Sequence, residues 1–287
     1  MSNKSNKRDS LGDRMKAYYE NRAKTYLTRR MPVIIRLDGK AFHTLTKGLK
    51  KPYDEIFHNT MNATMKYLCE HIQGCKLGYT QSDEITLLLT DDDTIDTDAW
   101  FDNNVQKICS VSASMATLAF NKFFAEEINI WDKANGLAAI GYLNEDKDSA
   151  LVKLHDAYWK AYHKGAMFDS RCFNIPKDEV INCFIWRQQD ATRNAIQMLG
   201  QCNFSHKELQ GKSCNNIQDI LMIQKGINFN DMPTEFKRGV CCYKRSVEKN
   251  GATRSEWFID KETPIFTQDR VYVEKRFDKE KLSNDGY

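Results

Sequence analysis

Two acidic clusters, each beside a predicted strand, are the residues of this sequence best suited to do chemistry. Asp38 and Gly39 follow a β-branched run, and Asp83 and Glu84 lie in a polar turn between two further predicted strands. Two carboxylates that meet at a partly dehydrated sheet edge repel each other unless a cation lies between them. Mg²⁺ suits such a pair, because it binds one or two carboxylates together with phosphate oxygens and water. The clusters therefore predict phosphoryl transfer with two Mg²⁺ ions, one activating the attacking hydroxyl and the other steadying the leaving pyrophosphate.

The residues next to the first carboxylate suit a phosphate group. Gly39 lets a phosphate or a metal ion approach the backbone, because no Cβ stands in the way. Lys40 and Lys51 can neutralise phosphate charge. An Asp-Gly pair after a strand is usually only a turn, so the prediction depends on both acidic clusters and on the strands between them.

The predicted elements bring the two clusters together, although they are far apart along the chain. A strand, a helix, two hairpin strands, a helix and a fourth strand are predicted at residues 33–37, 54–73, 76–80, 85–89, 104–128 and 168–175. This order is that of the ferredoxin-like βαββαβ arrangement, an antiparallel sheet with helices on one face. The end of its first strand and the turn between the next two strands share one edge. We therefore expect Asp38 and Asp83 to lie side by side at that edge.

The second half of the chain has a more helical pattern. Helices are predicted at 178–199, 205–209 and 217–225, and strands at 237–245 and 255–260 with Asn250 and Gly251 in their turn. A further helix is predicted at residues 10–28. The fold class is thus α+β, with an N-terminal helix and a catalytic domain at residues 1–175. A helical and β-hairpin region with a polar tail follows at residues 176–287.

The composition is that of a globular protein, with 287 residues, 41% hydrophobic and 28% charged side chains. Nine cysteines without a C-x-x-C pair, and no evident secretion signal, favour a reduced intracellular protein. The longest uncharged apolar run is too short to span a bilayer. We expect a cytoplasmic location and no membrane partner. A mitochondrial location stays open, because acidic residues near the N-terminus disfavour a targeting segment without excluding it.

The charge distribution is uneven, although the net charge of +3 is too small to identify a partner. Residues 1–30 hold nine Lys and Arg against three acids, and residues 91–102 hold six Asp and no base. Both segments can be solvated surface. Alternatively, the first is a basic arm that binds a polyanion and the acidic loop points away from it. We expect the tyrosines of the arm, Tyr18, Tyr19 and Tyr26, to pack inward rather than to stack on bases.

Three separated clusters resemble those of the tRNA-histidine guanylyltransferase family. They are RLDGKAFH at 36–43, YTQSDE at 79–84, and FDSR at 168–171 followed by WRQQD at 186–190. The resemblance covers residues 10–245. It implies a palm domain like that of polymerases and nucleotide cyclases, and addition of nucleotides in the 3′-to-5′ direction at the 5′ end of tRNA. It also implies ATP and GTP or other nucleoside triphosphates as substrates, and a homotetramer.

The resemblance also implies roles for individual residues. Asp38 and Asp83 would be the carboxylate ligands of two Mg²⁺ ions, with the Gly39 carbonyl as a further ligand. Glu84 would contact these ligands without binding the metal itself. Lys51 would touch the triphosphate. The residues implied to hold the nucleotide are Asp38, Gly39, Lys40, Ala41, Phe42, His43, Lys51, Ser82 and Asp83.

One departure from the family pattern bears on the substrate. Guanylyltransferases that act on histidine tRNA carry the motif His-Ile-Asn-Asn-Leu-Tyr-Asn after the WRQQD cluster, and this chain has TRNAIQM at 192–198. Thr192 replaces the histidine, whereas Asn194 is kept. This resembles the guanylyltransferase-like branch, which repairs 5′-truncated tRNA by template-directed addition. Addition of a single G to histidine tRNA is the alternative.

Other interpretations concern the same segments. Arg187 and Asn194 are candidate tRNA contacts, although Arg187 could instead pair with Asp190 three positions along a helix. Trp186 is expected in the core. The palm alone would also allow a nucleotide cyclase, and a non-catalytic tRNA-binding protein is a further alternative. The intact carboxylate pair argues against the latter, because an idle pair costs stability.

Overall fold

A six-stranded antiparallel sheet forms the centre of the computed structural model, which describes residues 10–137, 149–249 and 251–278. Its strands are β1 (Val33–Gly39), β2 (Cys75–Gln81), β3 (Glu84–Leu89), β4 (Phe168–Asn174), β5 (Val240–Lys249) and β6 (Ala252–Asp260). They lie in the order β4-β1-β3-β2-β5-β6, and every neighbouring pair is antiparallel. β1 and β2 therefore run the same way on the two sides of β3. The predicted α+β fold is confirmed.

The helices of the described residues surround this sheet. They are α1 (Ser10–Tyr18), α2 (Phe42–Leu45), α3 (Glu55–His71), α4 (Val105–Ala134), α5 (Ala150–Lys164), α6 (Val180–Asn203), α7 (His206–Leu209), α8 (Cys214–Lys225), α9 (Thr234–Arg238) and α10 (Val271–Glu274). The helix predicted at 10–28 stops at Tyr18, since α1 buries no residue and so gains no packing energy from a longer helix. The sequence analysis did not predict α5. Asn250 of the predicted hairpin turn and the polar tail from residue 279 lie outside the described residues.

One face of the sheet is covered by α3, α4 and α5. Ile35 and Leu37 of β1 belong to the same core as Met65 of α3 and Phe120 of α4. Among the described residues, α4 is long and apolar enough, by length and composition alone, to cross a membrane. Its buried side chains recur every fourth position and its neighbours are α3, β1 and β4, which accounts for its apolar stripe.

The opposite face of the sheet is covered by α6. Ile34, Tyr79 and Leu88 pack there against Val180 and Phe184. The arrangement predicted from the sequence had helices on one face only. The second layer exists because β1 is apolar on both faces, as strands buried on both sides are. Farther along, α6 shares a separate core with α8 and α9.

The acidic loop at residues 91–102 forms ion pairs with the end of the basic arm at residues 1–30. Arg29 lies 3.4 Å from Asp91 and from Asp102 and 3.6 Å from Asp98. Arg30 donates its backbone N–H to Asp91 at 2.8 Å. The interpretation in which the acidic loop points away from the arm is therefore wrong, because opposite charges near one sheet end attract.

The tyrosines of the arm do not pack inward. Tyr18, Tyr19 and Tyr26 are exposed at 59%, 65% and 52%. The expectation that they pack inward is therefore wrong. Tyr18 ends α1, a helix that buries no residue, and Tyr19 and Tyr26 lie beyond that helix.

Candidate active site

The two acidic clusters meet where β1 ends. Asp38 lies opposite Glu84 in the β1–β3 pair and opposite Asp169 in the β1–β4 pair. The Gly39 N–H donates to the Asp83 carbonyl at 3.1 Å. The sheet thus brings Asp38 and Asp83 to one edge, because β3 turns back beside the end of β1.

The loop after Asp38 is anchored by an aromatic side chain. Phe42 is buried, and its ring centroid lies 5.1 Å from that of Phe168 and 5.4 Å from that of Phe120. A Cβ on Gly39 would lie 2.3 Å from the Phe42 ring, so only glycine fits there. Ala41 has φ 55°, a left-handed conformation that turns the chain sharply. The backbone beside Asp38 is therefore fixed by packing.

The electrostatics of the edge favour a cation. Burial raises the pKa of Asp83, and the charge of Asp38 raises it further, while hydrogen bonds from its own backbone and from Ser82 oppose the shift. Among the described residues, no Lys or Arg forms an ion pair with Asp38 or Asp83. A positive ion here would offset both the burial and the repulsion.

The donors at this edge fit Mg²⁺. No group of three or more His, Cys, Asp and Glu side chains in the described ranges is arranged to hold a metal ion. The pair Asp38 and Asp83 and the Gly39 carbonyl are thus what the chain offers. This is the number of protein donors that Mg²⁺ takes when phosphates and water complete its octahedron. Their role as metal ligands stays a prediction.

Glu84 has a different partner from the other two carboxylates. Arg187 of α6 donates to both Glu84 oxygens, at 2.6 Å and 2.9 Å, and to Asp190 at 2.8 Å. Burial raises the pKa of Glu84, while Arg187 and Arg36 oppose that shift. Glu84 is therefore positioned as a support behind the site, with its charge already balanced.

Arg187 takes the ion-pair role, the second of its two interpretations. It is 8% exposed, which leaves little guanidinium surface for an RNA contact. Trp186 was expected in the core and is 48% exposed, with its ring 4.3 Å from the Arg187 guanidinium. The expectation for Trp186 is wrong because α6 turns residues 184, 187, 188 and 191 toward the sheet and 186 away from it.

Two cavities open at this edge. The larger, of about 420 Å³, lies between the loop after β1, the β2–β3 turn and helices α3, α6 and α9. The smaller, of about 140 Å³, lies over Asp38, Glu84 and Arg187. Asn194 lines both cavities. The larger one is within the roughly 300–1,000 Å³ of small-molecule sites.

Most residues predicted to hold a nucleotide lie around these cavities. Gly39, Ala41, Phe42, His43, Lys51, Ser82 and Asp83 line the larger cavity, and Asp38 lines the smaller. Lys40 lines neither, and its backbone N–H donates to the Met167 carbonyl at 2.9 Å. The sequence analysis missed His58 and Met198, which line the larger cavity from the interior of helices. No motif marks His58, whereas Met198 ends the TRNAIQM segment at 192–198 and was not considered as a site residue.

Comparison with known proteins agrees with this geometry. The family model described as Thg1, tRNA-His guanylyltransferase, matches residues 12–176, more than half of the chain. The chain belongs to the tRNA-histidine guanylyltransferase family. It is therefore a nucleotidyltransferase, and family membership connects it with tRNA processing.

Several family members resemble the chain over most of its length. The tRNA(His) guanylyltransferase of Saccharomyces cerevisiae is 28% identical over 221 residues, which cover 72% of this chain and 80% of that protein. A bacterial guanylyltransferase-like protein in complex with ATP has 44% identity and a TM-score of 0.74, covering 93% of this chain and 99% of that one. The complex of such a bacterial protein with GTP gives 42% identity, a TM-score of 0.73 and the same coverage. One of these two structures thus contains ATP and the other contains GTP.

Proposed function

We propose that the protein is a template-dependent 3′-to-5′ nucleotidyltransferase that adds nucleotides to the 5′ end of truncated tRNA, using two Mg²⁺ ions. The observation that carries the proposal is the carboxylate pair Asp38 and Asp83 beside a cavity of about 420 Å³. Bacterial proteins with 44% and 42% identity are in complex with ATP and with GTP. The proposed reaction uses both kinds of nucleotide, a nucleoside triphosphate such as GTP for addition and ATP for adenylation of a 5′-monophosphate end.

The reaction needs an activated 5′ end. The 3′-hydroxyl of the incoming nucleoside triphosphate attacks the α-phosphate at the 5′ end of the RNA, a new P–O bond forms, and the hydroxyl proton passes to water. Pyrophosphate leaves if the end is a triphosphate, and AMP leaves if ATP has adenylated it. Mg²⁺ bound by Asp38 and Asp83 would supply charge stabilisation for this transfer. The protein's own part is to hold the carboxylates, the triphosphate and the RNA end in line.

Thr192 supports repair over addition of a single G. Its hydroxyl donates to the Lys237 carbonyl at 2.8 Å, so the side chain ties α6 to α9. Thr192 lines neither the larger nor the smaller cavity but a third one, of about 630 Å³, together with Trp186 and Arg193. The position that is histidine in guanylyltransferases of histidine tRNA is thus a structural contact in this chain.

Addition of a single G to histidine tRNA is the second candidate. The family model and the curated relatives carry that activity in their names, which favours it. Repair and single-G addition differ in the RNA that they accept, so substrate choice separates them.

Two tRNA transcripts test the proposal. One is a tRNA that lacks its first 5′ nucleotide and carries a 5′-triphosphate, and the other is full-length histidine tRNA with a 5′-monophosphate, given ATP and GTP. We expect addition to the truncated tRNA that stops when the acceptor stem is fully paired. Efficient addition of one G to histidine tRNA, with no repair, would support the second candidate. The matched control for contaminating activity is Asp83→Asn.

The quaternary structure is a further part of the proposal. The family resemblance favours a homotetramer, which would give a particle of four 33.3 kDa chains. Sedimentation equilibrium of the full chain tests this, and a monomer at micromolar concentration would contradict it.

A further inference from the structure

The larger cavity has two chemically different ends. Gly39, Ser82 and Asp83 line it near the carboxylate pair, where phosphates would lie. Leu49, Phe57, Met198 and Phe236 line it where α3, α6 and α9 meet. The second end is apolar and aromatic, as stacking surfaces for bases are.

His58 is the polar group at the apolar end. Its ring stacks on Tyr53 at 4.0 Å between centroids with 16° between planes, and Phe57 packs edge-on at 5.8 Å. His58 lines the cavity, yet its ring nitrogens make no hydrogen bond in the described part of the chain. The ring is only partly buried, so a ligand that displaces water from the cavity must supply the hydrogen bond that the water made.

We propose that His58 is a positioning residue that hydrogen-bonds the base of the nucleoside triphosphate held in this cavity. The inference rests on the proposed function, since it requires the cavity to hold a nucleoside triphosphate with its phosphates at the carboxylate pair. Nothing in the sequence marks His58, which lies in the first turns of α3 (Glu55–His71).

A second layer of residues holds the His58 ring in place. Burial and the charge of the nearby Glu235 carboxylate raise the pKa of Tyr53, on which it stacks, and Glu235 lies 3.1 Å from Lys261. Tyr53 also meets Phe236 edge-on at 6.0 Å. These contacts join the start of α3 to α9 and to the segment after β6. The ring therefore has a fixed orientation before a nucleotide binds.

The protonation state of His58 suits a residue that hydrogen-bonds a nucleotide base. Burial lowers its pKa to about 4, with Lys261 acting in the same direction and Glu235 opposing. A neutral imidazole offers one N–H donor and one nitrogen acceptor, and its tautomers exchange them. All four bases present donors and acceptors at their edges. His58 is thus suited to hold any base, and we expect its loss to weaken ATP and GTP similarly.

Nucleotide binding and kinetics of the full chain test the inference. His58→Phe keeps a ring for stacking on Tyr53 and removes both nitrogens, and His58→Asn restores a donor and an acceptor. The matched control is His71→Phe. His71 also stacks on a tyrosine, with its ring centroid 4.2 Å from that of Tyr67, but it does not line the cavity. Titration with fluorescent ATP and GTP analogues in Mg²⁺ gives Kd, and addition to triphosphorylated truncated tRNA gives KM and kcat.

The expected result is a selective effect on nucleotide affinity. We expect His58→Phe to raise Kd and KM for both nucleotides about tenfold with kcat within about twofold, as for loss of one hydrogen bond. His58→Asn should recover part of the loss, and His71→Phe should match the wild type. Unchanged Kd in a folded His58→Phe protein, a His58→Asn protein that binds no better than His58→Phe, or a change in kcat alone would overturn the inference. A wild-type chain that binds nucleotides without adding them to tRNA would instead contradict the proposed function and leave this comparison intact.

Discussion

At the residue scale, the three neighbouring acids of the site have two different environments. Glu84 is balanced by Arg187, whereas the described residues give Asp38 and Asp83 no basic partner. Burial raises the pKa of both Asp83 and Glu84, but arginine charges oppose the shift only at Glu84. The nearby positive charge of Arg187 thus pairs with Glu84, and Asp38 and Asp83 remain available to a cation.

Removing either open carboxylate should abolish activity without unfolding the protein. We expect Asp38→Asn or Asp83→Asn to lower nucleotide addition by about a hundredfold or more, since a bound metal supplies several kcal/mol of charge stabilisation. Their melting temperatures in EDTA should equal or exceed that of the wild type, because a repelling, partly buried charge is gone.

The matched control is Asp169→Asn. Asp169 lies opposite Asp38 on β4 and pairs with Arg171 at 2.9 Å. Activity within about threefold of the wild type is expected, as for a surface ion pair. Full activity of Asp38→Asn or Asp83→Asn would contradict the two-carboxylate site.

His58 should also make the protein less stable in acid. Its pKa is about 4 in the folded chain and 6.5 in an unfolded one, so unfolding takes up a proton between these values. The free energy of unfolding should therefore fall as pH drops from 6.5 to about 4, at up to about 1.4 kcal/mol per pH unit from this group. Urea denaturation of the wild type and of His58→Phe at several pH values measures the difference. Identical pH profiles would show that the His58 pKa is not lowered.

At the element scale, α6 is part of the site because one of its side chains crosses to the sheet. We expect Arg187→Met to destabilise the protein by about 3 kcal/mol, since it leaves Glu84 largely buried without its bidentate partner. Urea denaturation checks this. Glu84→Gln combined with Arg187→Met should be less destabilising than the sum of the single changes.

The control for this helix is Arg193→Met. Arg193 pairs with the same Asp190 and is 61% exposed at its side chain. Its loss should cost within about 1 kcal/mol, as exposed pairs do. Equal costs for Arg187→Met and Arg193→Met would mean that Glu84 does not need Arg187.

The elements that could be predicted are those whose information is local. β1, β2 and β3 follow from apolar runs and turns in neighbouring residues, and with them the meeting of Asp38 and Asp83. The pairing of Glu84 with Arg187 could not be predicted, because it depends on where a distant helix packs. The sequence analysis also missed α5, although this helix is amphipathic and buries Val152, Tyr158 and Ala161.

At the scale of the whole molecule, the two halves of the chain share one sheet. β5 pairs with β2, and α6 covers Ile34 and Leu88 on the second face. The boundary predicted between residues 175 and 176 marks a change in sequence pattern. The strand order that joins the halves could not be predicted, because nothing in the local sequence of β5 indicates that it pairs with β2.

A fragment ending at residue 175 should not fold as a soluble unit. It would expose Ile34, Tyr79 and Leu88, leave an edge of β2 unpaired, and strip Glu84 of Arg187. We expect aggregation of this fragment on expression, whereas a chain ending at residue 278 should remain soluble and cooperative in urea denaturation. A monodisperse fragment with a cooperative transition would show that the first half is independent.

The Glu84–Arg187 contact has a consequence for how this site can change over time. The two residues lie on either side of the predicted boundary and act as a single charge-balanced unit. Loss of either residue leaves the other without its bidentate partner. Recombination that exchanged only the second half would therefore need an incoming helix with an arginine at the place of Arg187, because otherwise Glu84 would lose its counter-charge.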